Sequence, residues 1–121
     1  MIRSYRDLLV WQKAMDLVVE SYRIAALLPK SETYGFAIQI QRSAVSVPAN
    51  IAEGHGRDHL RHLSIANGSL MELETHFLLL VRLSYVPLSD LESALELSAE
   101  IGKMLAGLSR SLKNSSGNAG N

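Results

Sequence analysis

Between Gln39 and Gly54 the chain reads QIQRSAVSVPANIAEG, and this stretch limits the possible folds more than any other. Wound at 3.6 residues per turn, Gln39, Arg42, Ser46, Asn50 and Glu53 align on one narrow polar stripe. Ile38, Ile40, Ala44, Val45, Val47, Ile51 and Ala52 occupy most of the remaining circumference. A helix apolar over so wide an arc is surrounded by protein, and its polar stripe needs partners or a shared cavity. Pro48 removes one backbone donor inside it and predicts a kink. The small residues Ser43, Ala44, Ser46 and Ala49 leave room to absorb that kink.

The rest of the chain supports a helical reading. Its 121 residues suffice for one core and not for two comfortable domains. At 47% hydrophobic and 20% charged, the composition is that of a folded protein. Lysine plus arginine total 12 and aspartate plus glutamate total 12, a neutrality that argues against a strongly basic nucleic-acid binder while allowing a local patch. With no cysteine, disulfides, thiolate zinc sites and cysteine nucleophiles are excluded. No secretory h-region follows the start, and no run reaches the roughly 20 apolar residues of a membrane span. The expectation is a cytoplasmic, bacterial-type protein.

Four helices are predicted, at about 7–28, 32–53, 58–85 and 89–112, within one domain of residues 1–113. In the first, Leu8, Trp11, Met15, Val18, Tyr22 and Ala25 repeat at helical steps before Pro29. Ser31 is the expected N-cap of the second, and Gly54, His55 and Gly56 are its expected stop. The third carries a seam of Leu63, Ala66, Leu70, Leu73, Phe77 and Leu80. Ser89 to Glu92 reads as a capping box. It opens a fourth helix with Leu91, Ala94, Ser98, Ile101, Leu105, Leu108 and Leu112 inward. The tail 114–121, NSSGNAGN, has nothing to bury and is expected to be disordered. Short connections make consecutive helices antiparallel, so the expected fold is all-α: an up-down-up-down antiparallel four-helix bundle. Each helix of ~22 residues would span ~33 Å.

The third helix has more apolar surface than one bundle uses. Ile65, Leu79 and Leu83 form a second row, with Gly68 between them. They read either as scattered surface residues or as an oligomer interface. The stacking at helical spacing favours the interface, and a cyclic homo-oligomer follows.

Candidate chemistry is sparse. Glu74 falls within the seam of the third helix, level with Arg42, so a buried Glu74–Arg42 pair is expected. Its roles would be an acid/base site or a register-fixing ion pair, and breaking it should cost ~3–5 kcal/mol. The spacing of His55, His59 and His62 suits metal ligands, but no carboxylate joins them at a helical step and no metal or other cofactor is expected. Ser43 and Ser46 have no histidine at a helical step to act as base, so the chain reads as a non-enzyme. Arg57, His59, Arg61 and His62 cluster at the second turn with only Asp58 opposing. Repeated around a ring, Arg57, Arg61 and His62 would form a basic rim for phosphates. The acidic fourth helix, with Asp90, Glu92, Glu96 and Glu100, would repel an anion.

YRDLLVWQKAMDL, RSAVSVPANIAEGHGR and NGSLMELETHFLL together resemble the small bacterial four-helix-bundle family encoded in 23S rRNA intervening sequences. The chain is also similar to the accessory variability determinant proteins of diversity-generating retroelements. The resemblance covers Tyr5 to about Leu108. It implies a homopentameric barrel and, for the retroelement branch, binding to a reverse transcriptase and to RNA. The matched signature residues are Arg42, Ser46, Pro48, Asn50, Glu53 and Gly54, with Glu72 and Glu74 in the third helix, and their implied role is architectural. The retroelement proteins are basic and this chain is neutral, a pattern nearer the stand-alone members. The function expected is a non-enzymatic oligomeric scaffold or binding protein that meets RNA or an RNA-processing protein. The alternative is a protein–protein interaction module with no nucleic-acid affinity.

Overall fold

A computed structural model describes the backbone of residues 3–119 and the side chains of residues 3–115. The described residues form four α-helices and no strand: α1 (Leu9–Ala25), α2 (Phe36–Gly56), α3 (His59–Arg82) and α4 (Glu92–Ala119). Short 3-10 turns at Tyr5–Asp7, Lys30–Glu32 and Leu88–Asp90 precede α1, α2 and α4.

Helix ends differ from expectation for local reasons. Ser31 does not cap α2, because Lys30–Glu32 winds as a 3-10 turn and Gly35 takes the N-cap position. Glu32 caps instead, its Oε1 accepting from the Phe36 amide at 3.3 Å. α2 passes through Gly54 and ends at Gly56, inside the expected segment but not by a left-handed glycine. Neither has positive φ, and the turn falls at extended Arg57 and left-handed Asp58 (φ 50°). Glycine permits a stop without requiring one. The expected capping box at Ser89 is replaced by the Leu88–Asp90 turn ahead of Glu92. α4 continues to Ala119 where a disordered tail was expected from Asn114. No proline interrupts it, and propagating a helix adds one bond per residue. Gly120 and Asn121, the end of that expected tail, lie outside the described residues.

α3 ends in a Schellman motif. Ser84 adopts the left-handed conformation (φ 61°), Tyr85 N–H bonds the Leu80 carbonyl at 2.9 Å and Ser84 N–H bonds that of Val81 at 3.0 Å. Tyr85 then donates its hydroxyl to Glu32 Oε2 at 2.8 Å, tying the end of α3 to the turn before α2. That hydrogen bond, and secondarily the Glu32 charge, holds the Tyr85 pKa above its usual value.

α1 packs on α2 and α4, and α3 packs on the same two helices. Across α1 and α4, Lys13 pairs with Glu100 at 2.8 Å and Arg23 bonds the Asp90 carbonyl at 3.0 Å. Across α2 and α3, Ser46 meets Ser69 and Asn50 meets His62. In both helix pairs the residue numbers run in opposite senses.

The inner seam of α3 is buried throughout, from Leu63 to Leu80, as its spacing predicts. Leu91, Ala94, Ser98, Ile101 and Leu105 of α4 are buried too, while Leu108 and Leu112 are half-buried. α1 departs from expectation. Its buried residues are Val10, Ala14, Leu17, Ser21, Ile24 and Ala25, and of the repeat read from the sequence Ala25 is buried while Met15 and Tyr22 are exposed. Both rows repeat at helical steps, and small Ala14 and Ser21 are what allow α1 close to its neighbours.

Candidate interaction surfaces and the polar seam between α2 and α3

The polar stripe of α2 divides in two. Ser46 and Asn50 turn toward α3, whereas Gln39, Arg42 and Glu53 remain exposed. Asn50 Nδ2 donates to the Ser46 carbonyl at 2.8 Å and to Ser46 Oγ at 3.1 Å. The Ser46 and Ser69 hydroxyls share a 2.8 Å bond. Asn50 Oδ1 lies 3.1 Å from His62 Nδ1. Because the amide nitrogen is committed to Ser46, the network assigns Nδ1 as the protonated ring nitrogen of His62. The result is a continuous chain, Ser69–Ser46–Asn50–His62, that satisfies polar groups between two packed helices.

His62 therefore faces inward, only 8% exposed, and not onto the rim where the sequence reading put it. It sits against Gly54: a Cβ built on that glycine would lie 2.5 Å from His62 Cβ. Gly54 is a close-approach residue between α2 and α3. Ser69 was missed in the sequence because its neighbours Gly68 and Leu70 gave no polar pattern. Its helical level opposite Ser46 was the available clue.

The expected Glu74–Arg42 pair does not form. Glu74 is half-buried and accepts a hydrogen bond from buried Ser98 of α4. Arg42 is exposed and has no carboxylate within ion-pair distance among the described residues. It lines a cleft with Gln39, Ser43, Ser46, Ser69 and Glu72. The level along the helix was right and the face was wrong, since Glu72 and Ser69 border α2 while Glu74 borders α4. Glu53 is exposed in the last turn of α2.

Arg57 and Arg61 are exposed at the α2–α3 turn, and Arg61 lies 3.8 Å from the Asp58 carboxylate. The His55 and His59 rings meet edge to face at 5.9 Å. Burial, and then the nearby His55, lower the His59 pKa from its ordinary value, and His59 Nε2 has no hydrogen-bond partner among the described residues. No group of three or more His, Cys, Asp or Glu suited to a metal occurs among the described residues. Leu60 and Arg61 share a cleft with Leu112, and Leu60 shares a second with Lys113. Lys113 thus joins this end of the molecule, a cation that sequence distance concealed.

His76 packs edge-on against Phe36, its two buried ring nitrogens without hydrogen-bond partners among the described residues. Glu72 Oε1 stands 3.4 Å from its Nε2, close enough for attraction but not aligned as a hydrogen bond.

The outer row of α3 faces solvent in the single chain, with Ile65, Leu79 and Leu83 all exposed. α1 has a matching exposed row of Met15, Val19 and Tyr22, with Val19 at 71%. Tyr22 opens into a groove with Ile38, Gln41, Arg42 and Val45 of α2. Among the described residues no helix is long and apolar enough to cross a membrane.

The class is thus a four-helix protein with an apolar core, a polar seam between α2 and α3, and apolar rows left on its surface. The chain belongs to the 23S rRNA-intervening sequence protein family, whose model matches residues 6–107. It is similar to a crystallised protein of unknown function from the S23 ribosomal protein family of Bacteroides thetaiotaomicron. The two are 27% identical, with a TM-score of 0.77 over 84% of this chain and 98% of that one. No curated protein matches.

Proposed function

We propose that this chain is a non-enzymatic scaffold: an up-down-up-down bundle that closes into a cyclic homo-oligomer and presents its α2–α3 turns to RNA or a ribonucleoprotein in the cytoplasm. Five copies is the size the family resemblance implies. The carrying observation is the double-sided α3, with a fully buried inner seam and an exposed outer row of Ile65, Leu79 and Leu83. An apolar row left outside a complete core marks an interaction surface. The rim would consist of Arg57 and Arg61, with Lys113 close by. The family's name ties it to 23S rRNA, which supports the choice of RNA. A non-catalytic role fits the polar seam, where Ser46 is bonded to Ser69 and Asn50 and the histidine contacts Asn50. Among the described residues no base is hydrogen-bonded to either hydroxyl.

Electrophoretic mobility shifts with structured RNA across a salt series test the partner. Arg57→Ala/Arg61→Ala should weaken binding and lower the salt slope by about 0.7–0.9 per lost phosphate contact. Binding unchanged in the double variant would remove the rim from the reading. One observation favours a protein-only module: Asp58 already engages Arg61. Absence of salt-sensitive RNA binding by the wild-type protein would select that alternative.

A further inference from the structure

The cleft between α2 and α3 holds more hydrogen-bonding capacity than the chain itself uses. It is a hollow of about 360 Å³ lined by Gln39, Arg42, Ser43 and Ser46 of α2 and by Ser69 and Glu72 of α3. Every lining side chain is polar, and the volume suits a small ligand. Ser43 is 5% exposed and its hydroxyl has no hydrogen-bond partner among the described residues. The sealed, unpartnered side-chain atoms among those residues belong to His59 and His76, so the Ser43 hydroxyl keeps surface, and that surface opens into the cleft. Ser46 and Ser69 carry two hydroxyl hydrogens and use one in their shared bond. Asn50 donates to Ser46 Oγ as well, so the other hydrogen is left without an acceptor whichever serine donates. About one turn from this bond, Arg42 and Glu72 line the cleft from opposite helices without pairing. Arg42 has no carboxylate within ion-pair distance among the described residues. Glu72 has the His76 ring, 3.4 Å away and out of line for a hydrogen bond.

We propose that this cleft binds a free α-amino acid, its carboxylate on Arg42 and the serine hydroxyls and its ammonium on Glu72. Unlike charges that line one hollow yet stand apart are bridged by a ligand carrying both signs. A guanidinium meets a carboxylate through two parallel hydrogen bonds, and the spare hydroxyl hydrogens add neutral donors beside it. A simple anion would face Glu72 and a simple cation would face Arg42, so each half of the ligand is disfavoured without the other. Gln39 keeps the lining polar, which favours a small polar side chain on the ligand over an aromatic one. The site is complete within one chain and needs neither the oligomer nor RNA.

Isothermal titration calorimetry of the full chain with each common L-amino acid tests this. One or a few polar amino acids should saturate a single site per chain below about 10 mM. For an amino acid that binds, the N-acetyl derivative lacks the ammonium and the amide derivative lacks the carboxylate. Each derivative should bind about tenfold more weakly or worse. Arg42→Gln and Glu72→Gln should each weaken the parent amino acid by about the same factor. Both positions are exposed, so the variants should keep their helical circular dichroism. Ser43→Ala should weaken binding without lowering the melting temperature of the ligand-free protein, because it breaks no internal hydrogen bond. Arg82→Gln, in the last turn of α3, should bind as wild type does. Absence of saturable binding by every amino acid overturns the proposal. So does an N-acetyl derivative that binds as tightly as its parent, which would leave an anion site only. Binding unchanged in both Arg42→Gln and Glu72→Gln puts the ligand outside the cleft and overturns it too. None of these outcomes bears on the oligomeric reading.

Discussion

Gly54 stands where α2 meets His62 of α3 with no room for a methyl group, since a Cβ there would lie 2.5 Å from His62 Cβ. Alanine normally stabilises a helix interior by about 1 kcal/mol over glycine. Here the neighbour is a Cβ fixed to its backbone, and overpacking costs about 1–3 kcal/mol. Gly54→Ala should therefore lower the urea midpoint. Gly107→Ala should raise it by an equivalent of about 0.5–1 kcal/mol, because its nearest contact is the far end of Arg110 at 3.9 Å. His59 gives a pH dependence. Its pKa is lowered in the fold by burial first and by His55 second. Below about 6.5 the unfolded chain takes up a proton there that the folded chain resists. This contribution to stability is intact above that value and is lost as pH falls through the lowered one. Denaturation at pH 7.5 and pH 5 should show His59→Gln losing less stability on acidification than wild type.

At the scale of elements, the Ser69–Ser46–Asn50–His62 chain joins α2 to α3. Asn50→Ala leaves the buried His62 donor without its acceptor and should cost about 1–3 kcal/mol. Ser46→Ala added to it should cost less than its effect alone, because both break one network, and a double-mutant cycle measures the difference. The end of α3 offers a gain. Ser84 holds φ 61° in the Schellman turn, where a side chain costs about 1 kcal/mol or more and glycine does not. Ser84→Gly should raise the melting temperature. The helices themselves were readable from periodicity, and the α3 seam from Leu63 to Leu80 was read residue for residue. Helix starts were less legible, because Ser31 and Ser89 are each compatible with a boundary that a neighbouring turn supplied instead. The site was partly legible: Ser46 and Asn50 were recognised as a stripe needing partners. Arg42 was given the wrong partner because Glu72 and Glu74, two residues apart on a helix, border different neighbours.

For the whole molecule, the two exposed apolar rows are the dominant feature, and they make stability a function of concentration. If copies associate in the native state, the melting temperature should rise by about 3–5 °C for each tenfold increase in protein concentration. A melting temperature independent of concentration would speak for a self-sufficient single chain. The sequence alone determined that the chain is helical, that α3 carries an inner seam and an outer row, and that Ser46 and Asn50 need partners. These follow from the 3.6-residue period and from the cost of burying polar groups, both of which act within a single helix. Only the tertiary structure decided which α1 row entered the core, since Val10–Ile24 and Trp11–Tyr22 fit the same period and only packing against α2 and α4 separates them. It likewise turned His62 inward, gave Glu74 to Ser98 and brought Lys113 beside Leu60. Those outcomes depend on how helices rotate against each other, and a linear pattern carries no record of that angle.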